Sequence, residues 1–201
     1  MINRKSFYET ARLSLFGGTM SKSQVEGIEG ILDVWEKEHG KEDDRWLAYM
    51  LATVHHETDR TMRPIKEYGG PSWYKKMYDI TGMRPTLAKK MGNTAPGDGL
   101  KYFGRGYVQL TWKCNYEAMS KICGVDLVAN PDRALEVGVA TRVMFHGMIK
   151  GTFTGKKLGD YFAGKTQDWA NARRIINGTD KANVIAEHGR RYYAAISYTT
   201  G

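Results

Sequence analysis

Two glutamates have the residue type and the spacing that general acid/base hydrolysis requires. Glu57 stands at the end of an apolar helical pattern, and Glu67 follows ten positions later. Pro64 lies between them, and because a proline breaks a helix interior, the two acids are expected on different backbone segments. Two carboxylates held across a cleft can protonate a leaving group and activate water. The stretch from Val54 to Gly69 is therefore the predicted active site.

The position of Glu57 favours it as the acid of the pair. Glu57 follows Met50 by seven positions and Val54 by three, so it falls on the apolar face of the same predicted helix. A carboxyl group in apolar surroundings holds its proton more tightly, which suits a general acid. The alternative is an ordinary glutamate at a helix end that pairs with Arg60 or Arg63.

A second set of polar residues follows about forty positions further on. From Tyr107 to Trp112 the sequence alternates as a strand does, which places Tyr107, Gln109 and Thr111 on one face and apolar residues on the other. The polar face could line a cleft, or it could belong to an ordinary half-exposed edge strand. Glycines on both sides of Arg105 indicate a tight bend, but their spacing does not match a phosphate-binding loop.

The composition is that of a soluble globular protein, and its positive charge points to an anionic partner. Of 201 residues, 41% are hydrophobic and 26% are charged, which fits one domain over residues 1–201. The net charge is +8, of which residues 1–50 carry −2 and the remainder +10. A basic body suits nucleic acid, a membrane surface or a bacterial envelope, and charge alone does not choose among them.

The same sequence argues against several other classes. No run approaches eighteen apolar residues, so no membrane span is expected, and no apolar signal-peptide region follows residues 1–6. Cys114 and Cys123 suit neither a disulfide framework nor a metal site, and we expect reduced thiols. The segment from His56 to Arg60 lacks the second histidine of a zinc H-E-x-x-H motif, so we expect no metal and no cofactor.

The elements that must position these residues are mainly helices. Caps and apolar spacing predict helices over Asn3–Leu15, from Ser21 to Gly40, from Asp43 or Asp44 to Glu57, over Asn115–Cys123, from Asn130 onward, over Trp169–Ile176 after an Asp168 cap, and from Asp180 to about Ile196. A short helical turn is predicted at Leu158–Phe162. The stripe from Val137 to Met148 is expected to form the core. Between Gly69 and Gly99, glycines and prolines leave short helical turns near Trp73–Tyr78 and Thr86–Met91, which is typical of a binding loop. A short tail, Thr199–Gly201, ends the chain.

Four segments of the chain resemble glycoside hydrolases of family 19. They are Ala48–Thr58, which ends in His-Glu-Thr, then Phe103–Trp112 with Asn115-Tyr116, then Asn130–Asp132, and finally Ile175–Gly178. Each motif is weak alone, but four in the same order extend the resemblance from about Phe7 to Tyr193. The resemblance is greatest to the compact branch found in phage endolysins and related bacterial proteins. It implies a mainly α, lysozyme-like single domain with a small β-hairpin lining the active-site cleft.

The resemblance also implies roles for individual residues. Glu57 matches the proton donor to the glycosidic oxygen, and Thr111 matches the hydroxyl residue that helps to hold the attacking water. In the compact branch an acid lies about nine or ten residues after the donor, which points to Glu67, on a polar loop where it would stay ionised as the base. Asp59 and Asp98 are the second and third candidates for that base. The predicted substrate-binding residues are His56, Tyr68, Arg105, Tyr107, Gln109, Asn115 and Asn177.

The leading functional prediction is an endolysin-type, inverting muramidase that cleaves the sugar backbone of bacterial peptidoglycan and lyses the cell. The resemblance implies a single catalytic domain over residues 1–201 without a separate cell-wall-binding domain. We expect a monomer that acts on peptidoglycan and the anionic envelope surface, with neither nucleic acid nor stable membrane insertion. The resemblance implies that it stays in the host cytoplasm until holin-type export. The alternative is a chitinase that uses the same residues on β-1,4-linked N-acetylglucosamine polymers. A lytic transglycosylase and a non-enzymatic binding module are the other classes.

Overall fold

The computed structural model describes residues 1–197, and this part of the chain is mainly helical. It contains α1 (Arg4–Leu15), α2 (Lys22–Glu38), α3 (Asp44–Glu57), α4 (Pro71–Tyr78), α5 (Pro85–Lys90), α6 (Asp98–Lys101), α7 (Lys113–Cys123), α8 (Val137–Lys150) and α9 (Ala182–Ser197). Short 3-10 helices cover Pro131–Leu135, Leu158–Asp160 and Asn171–Ile175. Two small antiparallel sheets pair β1 (Ile65–Lys66) with β2 (Arg105–Gly106) and β3 (Phe162–Ala163) with β4 (Thr166–Gln167). The predicted fold class is confirmed.

The chain divides into two compact units. The first consists of residues 1–63 and the chain from Met144 onward, and the second consists of residues 64–143. Glu57 belongs to the first unit and Glu67 to the second. The prediction of a single catalytic domain stays a prediction. No helix within residues 1–197 is long and apolar enough to cross a membrane. The predicted tail Thr199–Gly201 lies outside the described residues.

Local sequence signals in the first unit produce the predicted helix starts. The Asn3 side chain accepts a hydrogen bond from Ser6 N at the start of α1. Ser21 and Gln24 form a reciprocal capping box at the start of α2, so two otherwise unpaired backbone N–H groups are satisfied. Asp43 caps α3 by accepting from the backbone N of Arg45 at 2.9 Å. The predicted helix starts are therefore confirmed. Each cap joins residues that lie within three positions of each other, so the sequence alone could indicate it.

Helix α3 is the element that carries Glu57, and it is buried over most of its length. Every residue from Leu47 to His55 is buried, and each large apolar side chain among them contributes about 1.5–3 kcal/mol to folding. Helix α9 packs against α3. At Gly189 of α9 a Cβ atom would lie 2.8 Å from the Trp169 ring, so this position needs glycine. Helix α9 begins at Ala182, two residues after the predicted cap Asp180.

Two predicted helices are shorter or differently shaped than expected. Trp169–Ile176 contains only the 3-10 helix Asn171–Ile175, although Asp168 does accept from the backbone N of Asn171 at 3.1 Å. The helix expected from Asn130 is interrupted because Glu136 has an extended backbone (φ −68°, ψ 129°), and α8 starts after it. The short helical turn predicted at Leu158–Phe162 is present as a 3-10 turn over Leu158–Asp160. The expected burial within α8 is confirmed from Val139 to Met148 for most positions.

The predicted strand from Tyr107 to Trp112 is wrong. Residues 107–109 form a turn, and Arg105 and Leu110 bond to each other across it, with N–H···O distances of 3.1 and 2.8 Å. Gln109 has φ +54° and Trp112 has φ +77°. Positive φ values of this kind do not occur in an extended strand, so the alternating pattern does not persist along the chain. The result is a tight hairpin that leads from β2 toward α7.

Candidate active site

Glu57 is the last residue of α3, and a single arginine orients its carboxylate. Arg173 donates from Nη1 to Glu57 Oε1 at 2.6 Å, and the two side chains are only 5% and 19% exposed. Arg173 also donates from Nε to the carbonyl oxygen of Asp180 at 3.1 Å. Within residues 1–197 the second oxygen of Glu57, Oε2, has no hydrogen-bond partner. One oxygen is therefore held by charge while the other stays available.

The expected surroundings of Glu57 need correction. The buried face of α3 does reach Val54 and His55, but the carboxylate itself forms an ion pair with a guanidinium group, which the apolar pattern of α3 did not predict. The alternative partners, Arg60 and Arg63, are also wrong, because the ion pair is made by Arg173. In the sequence Arg173 stands between the apolar residues Ala172 and Ile175, a pattern that indicates partial burial of Arg173 but not its pairing with Glu57.

The neighbours of Glu57 in the first unit have different roles. Asn177 is exposed, and its backbone N donates to the carbonyl of Arg173 at 3.0 Å, which ties this predicted sugar ligand to the partner of Glu57. His56 is half-buried. His55 is 1% exposed and its Nδ1 lies 3.0 Å from the hydroxyl of Tyr192. Burial, followed by the nearby His188 and Arg60, lowers the pKa of His55 to about 3, so His55 is a neutral core residue.

Glu67 in the second unit is oriented by three donors from its own unit. Tyr78 donates its hydroxyl to Oε1 at 2.7 Å, and Trp73 donates Nε1 to the same oxygen at 3.2 Å. Gly104 donates its backbone N to Oε2 at 3.2 Å. Burial and the hydrogen bond to Glu67 raise the pKa of Tyr78 well above its usual range, so its hydroxyl remains a donor. The sequence predicted a helical turn at Trp73–Tyr78 but not this contact.

Gly104 keeps space for Glu67 and Gln109. A Cβ atom at this position would lie 2.8 Å from Gln109 Oε1 and 3.0 Å from Glu67 Oε2. The backbone of β1 and β2 brings the three residues together, because Glu67 N also donates to the carbonyl of Gly104 at 2.9 Å. Distances this short are tighter than ordinary contacts between carbon and oxygen. A side chain at position 104 would therefore displace the ends of the Gln109 and Glu67 side chains from their observed positions.

A chain of hydrogen bonds links Thr111 and Asn115 to the hairpin. The Thr111 hydroxyl donates to the carbonyl of Gln109 at 2.8 Å, and Asn115 Nδ2 donates to the carbonyl of Thr111 at 2.8 Å. All three side chains are half-buried. Because the Thr111 hydroxyl uses its proton for Gln109, its oxygen remains as an acceptor. The second unit therefore brings Glu67, Gln109, Thr111 and Asn115 into one connected group.

A family model described as chitinase class I, that of glycoside hydrolase family 19, matches residues 37–179. This range covers more than half of the chain and includes both glutamates and Arg173. The chain belongs to glycoside hydrolase family 19. The predicted family is confirmed, while the compact endolysin branch stays a prediction.

Several chitinases are similar to this family 19 chain. It is 30% identical over 149 residues to Chitinase 3 of Oryza sativa subsp. japonica, covering 67% of this chain and 46% of that protein. It is 53% identical over 148 residues to Endochitinase 2 of Gossypium hirsutum, covering 67% of this chain and 49% of that protein. The chain thus spans about half the length of these curated relatives.

Solved structures share its fold. The crystal structure of chitinase C from Streptomyces griseus HUT6037 aligns with a TM-score of 0.58 at 21% identity and covers 100% of this chain and 78% of that one. The class IV family 19 chitinase from Zea mays aligns with a TM-score of 0.56 at 17% identity, covering 95% and 90% of the two chains. At these identities the likeness establishes the fold alone.

Two of the substrate-binding residues predicted for this family 19 chain are internal. Arg105 donates to Asp132, to two backbone carbonyls and to the Tyr116 hydroxyl, and its side chain is 6% exposed. Its guanidinium carbon also lies 3.8 Å from the centre of the Phe103 ring. Tyr107 is 0% exposed. Burial of this degree indicates that both residues support the hairpin from inside, and their predicted role in binding substrate stays a prediction.

The other acids that could replace Glu67 in this family 19 chain are placed differently. Asp98 accepts from the backbone N of Thr94 and of Ala95, both at 3.0 Å, which makes it a turn cap. Asp59 is exposed and has φ +47° just beyond the end of α3. Tyr68, next to Glu67, is 79% exposed and is free to meet a substrate. Among the three acids, Glu67 has the densest set of orienting donors.

Proposed function

We propose that this family 19 protein hydrolyses β-1,4 glycosidic bonds in a polysaccharide that contains N-acetylglucosamine. The observation that supports this proposal is that two glutamates within the family match are each held by dedicated donors. Arg173 holds Glu57, whereas Trp73, Tyr78 and Gly104 hold Glu67. Side chains that must transfer protons need a fixed orientation, since a small misplacement costs a large factor in rate.

Glu57 is the proposed proton donor. The bond between the sugar carbon and the leaving oxygen breaks as the carboxyl group gives its proton to that oxygen. Arg173 occupies Oε1, so the proton would be delivered from Oε2. When the proton leaves, the negative charge that remains on Glu57 faces a guanidinium group, which stabilises it.

Glu67 is the proposed base for the attacking water. It would accept one proton of the water while the oxygen attacks the anomeric carbon from the opposite face of the sugar, which inverts that carbon. The Thr111 oxygen would accept a hydrogen bond from the other hydrogen of the water, which stays on the product hydroxyl, because the Thr111 proton is donated to Gln109. This single-step mechanism requires the two carboxyl groups to stand roughly 6.5–9.5 Å apart in the reacting complex.

Chitin is the substrate that the relatives support best. Chitinase 3 from rice and Endochitinase 2 from cotton carry this activity in their names. The names favour the chitinase alternative over the endolysin prediction.

Peptidoglycan is the second candidate, and the charge of the chain favours it. The net charge of +8 suits an anionic bacterial envelope better than a neutral chitin polymer. Peptidoglycan contains the same N-acetylglucosamine unit, so the proposed roles of Glu57 and Glu67 would not change.

Parallel digestion of soluble chitin oligomers and purified peptidoglycan tests both candidates. Shortened oligomers without release of muropeptides would establish the chitinase, and the reverse result would establish the muramidase. Anhydromuramyl ends would contradict hydrolysis, since they form in a transglycosylase reaction without water. Glu57→Gln serves as the inactive control, and full activity of that variant on either polymer would contradict the proposal.

A further inference from the structure

A basic surface on the second unit lies outside the candidate active site. We define this basic patch by six residues of α4, α5 and the turn between them: Lys75, Lys76, Met83, Leu87, Lys89 and Lys90. The four lysines are exposed. Met83 and Leu87 are 67% and 37% exposed, although both are apolar. None of the six contacts Glu67 or its donors through a hydrogen bond.

The patch is built on a fixed backbone. Met83 N donates to the carbonyl of Lys76 at 2.8 Å, which places the two side by side. Arg84 donates from Nε and Nη2 to the carbonyl of Met77 at 3.0 and 2.9 Å. At Gly82 a Cβ atom would collide with the carbonyl oxygens at the end of α4, so the turn closes tightly on that helix. The turn that carries Met83 is therefore held closely against the end of α4, next to Lys75 and Lys76.

The acids near the patch do not neutralise it. Asp79 is 1% exposed and accepts from Thr81, Gly97 and Gly99. Asp98 caps backbone N–H groups, and Glu67 is bonded to its three donors. In the described part of the chain, none of the four patch lysines forms an ion pair with an Asp or Glu. Their charge faces solvent.

The exposed apolar residues of the patch, Met83 and Leu87, indicate which kind of anionic partner it binds. Leu87 and Lys90 are three positions apart on α5 and so lie on one face. We propose that the patch docks the protein on the surface of an anionic lipid bilayer. Lysines would meet the lipid phosphates while Met83 and Leu87 enter the interfacial region, and such binding needs no membrane-spanning helix. A soluble polyanion would satisfy the lysines but offers no apolar phase for these two side chains.

Vesicle co-sedimentation of the full chain tests this docking. At low salt we expect binding to vesicles of equal phosphatidylglycerol and phosphatidylcholine, and at least about tenfold weaker binding to phosphatidylcholine alone. Replacing Lys75, Lys76, Lys89 and Lys90 with alanine should lower the partition coefficient by at least about tenfold. The matched control replaces Lys5, Lys121, Lys156 and Lys165, which are also exposed. It removes the same charge and should change binding by less than about threefold.

A second variant separates lipid binding from simple charge attraction. Met83→Ser with Leu87→Ser should weaken vesicle binding but leave binding to soluble polyphosphate unchanged. Equal losses in the two lysine variants would overturn the proposal, because net charge would then explain binding. Vesicle binding of the Met83/Leu87 variant at the native level would also overturn it. Thermal unfolding midpoints close to the native value verify that the variants fold, and neither outcome depends on hydrolysis.

Discussion

The two glutamates are held in contrasting ways. Glu57 depends on one charged partner, Arg173, which lies 116 positions away in the sequence. Glu67 depends on three neutral donors, of which Trp73 and Tyr78 lie 6 and 11 positions away. Removing one partner of a single buried ion pair abolishes the whole interaction, whereas removing one of several hydrogen-bond donors leaves the others in place. We therefore expect mutations around Glu57 to have all-or-none effects and mutations around Glu67 to have graded ones.

Removing Arg173 should produce the largest change. Arg173→Met leaves Glu57 without its partner in a mostly buried position, and we expect a loss on the order of 3 kcal/mol in the free energy of unfolding. Hydrolysis should fall by about 10³-fold. Urea denaturation and kcat/KM measure the two effects. Arg174→Met is the matched control because Arg174 is exposed; an equal loss in the control would show that the ion pair is not responsible.

Filling the space at Gly104 should have the next largest effect. The added Cβ atom of Gly104→Ala would press on Gln109 Oε1 and Glu67 Oε2, and the displaced carboxylate should lower kcat/KM by about 100-fold. Gly138→Ala provides the control, since nothing lies within 4 Å of its added Cβ atom. Native kcat/KM in Gly104→Ala would mean that Glu67 does not need this position.

Removing one donor from Glu67 should have a smaller, graded effect. Tyr78→Phe deletes the 2.7 Å hydrogen bond but leaves Trp73 and Gly104 in place. We expect kcat/KM to fall by about tenfold. Tyr74→Phe is the control because the Tyr74 hydroxyl bonds to the backbone carbonyls of Glu67 and Gly69 and not to the Glu67 carboxylate. An equal or larger fall of kcat/KM in the control would contradict the role of Tyr78.

The smallest effect at neutral pH is expected at His55, which supports the helix of Glu57 from within the core. Its pKa of about 3 in the folded state lies below the ordinary value of 6.5. As pH falls, the unfolded chain takes up the proton first, so stability present above about pH 6.5 is lost toward pH 3, at up to about 1.4 kcal/mol per pH unit. His55→Gln should reduce this slope, measured by urea denaturation at several pH values. An unchanged slope would contradict a neutral His55.

Interactions between residues that are close in the sequence could be predicted, whereas contacts between distant residues could not. The caps at Asn3, Ser21 and Asp43 were readable because donor and acceptor lie within three residues. The pairing of Glu57 with Arg173 was not, because no local pattern encodes a contact between residues so distant in the chain. The turn at Gln109 was missed for a related reason. A positive φ at a residue other than glycine is imposed by surrounding contacts and leaves no alternation to detect.

In the proposed mechanism Glu57 donates the proton and Glu67 activates water. Comparing kcat/KM on N-acetylglucosamine oligomers and on their 2,4-dinitrophenyl glycosides separates these two roles, since dinitrophenolate leaves without protonation. Glu57→Gln should lose at least about 10³-fold on oligomers but less than about tenfold on the dinitrophenyl glycosides, while Glu67→Gln should lose similar factors on both. Equal losses on both substrates in Glu57→Gln would contradict the assignment of Glu57 as the acid.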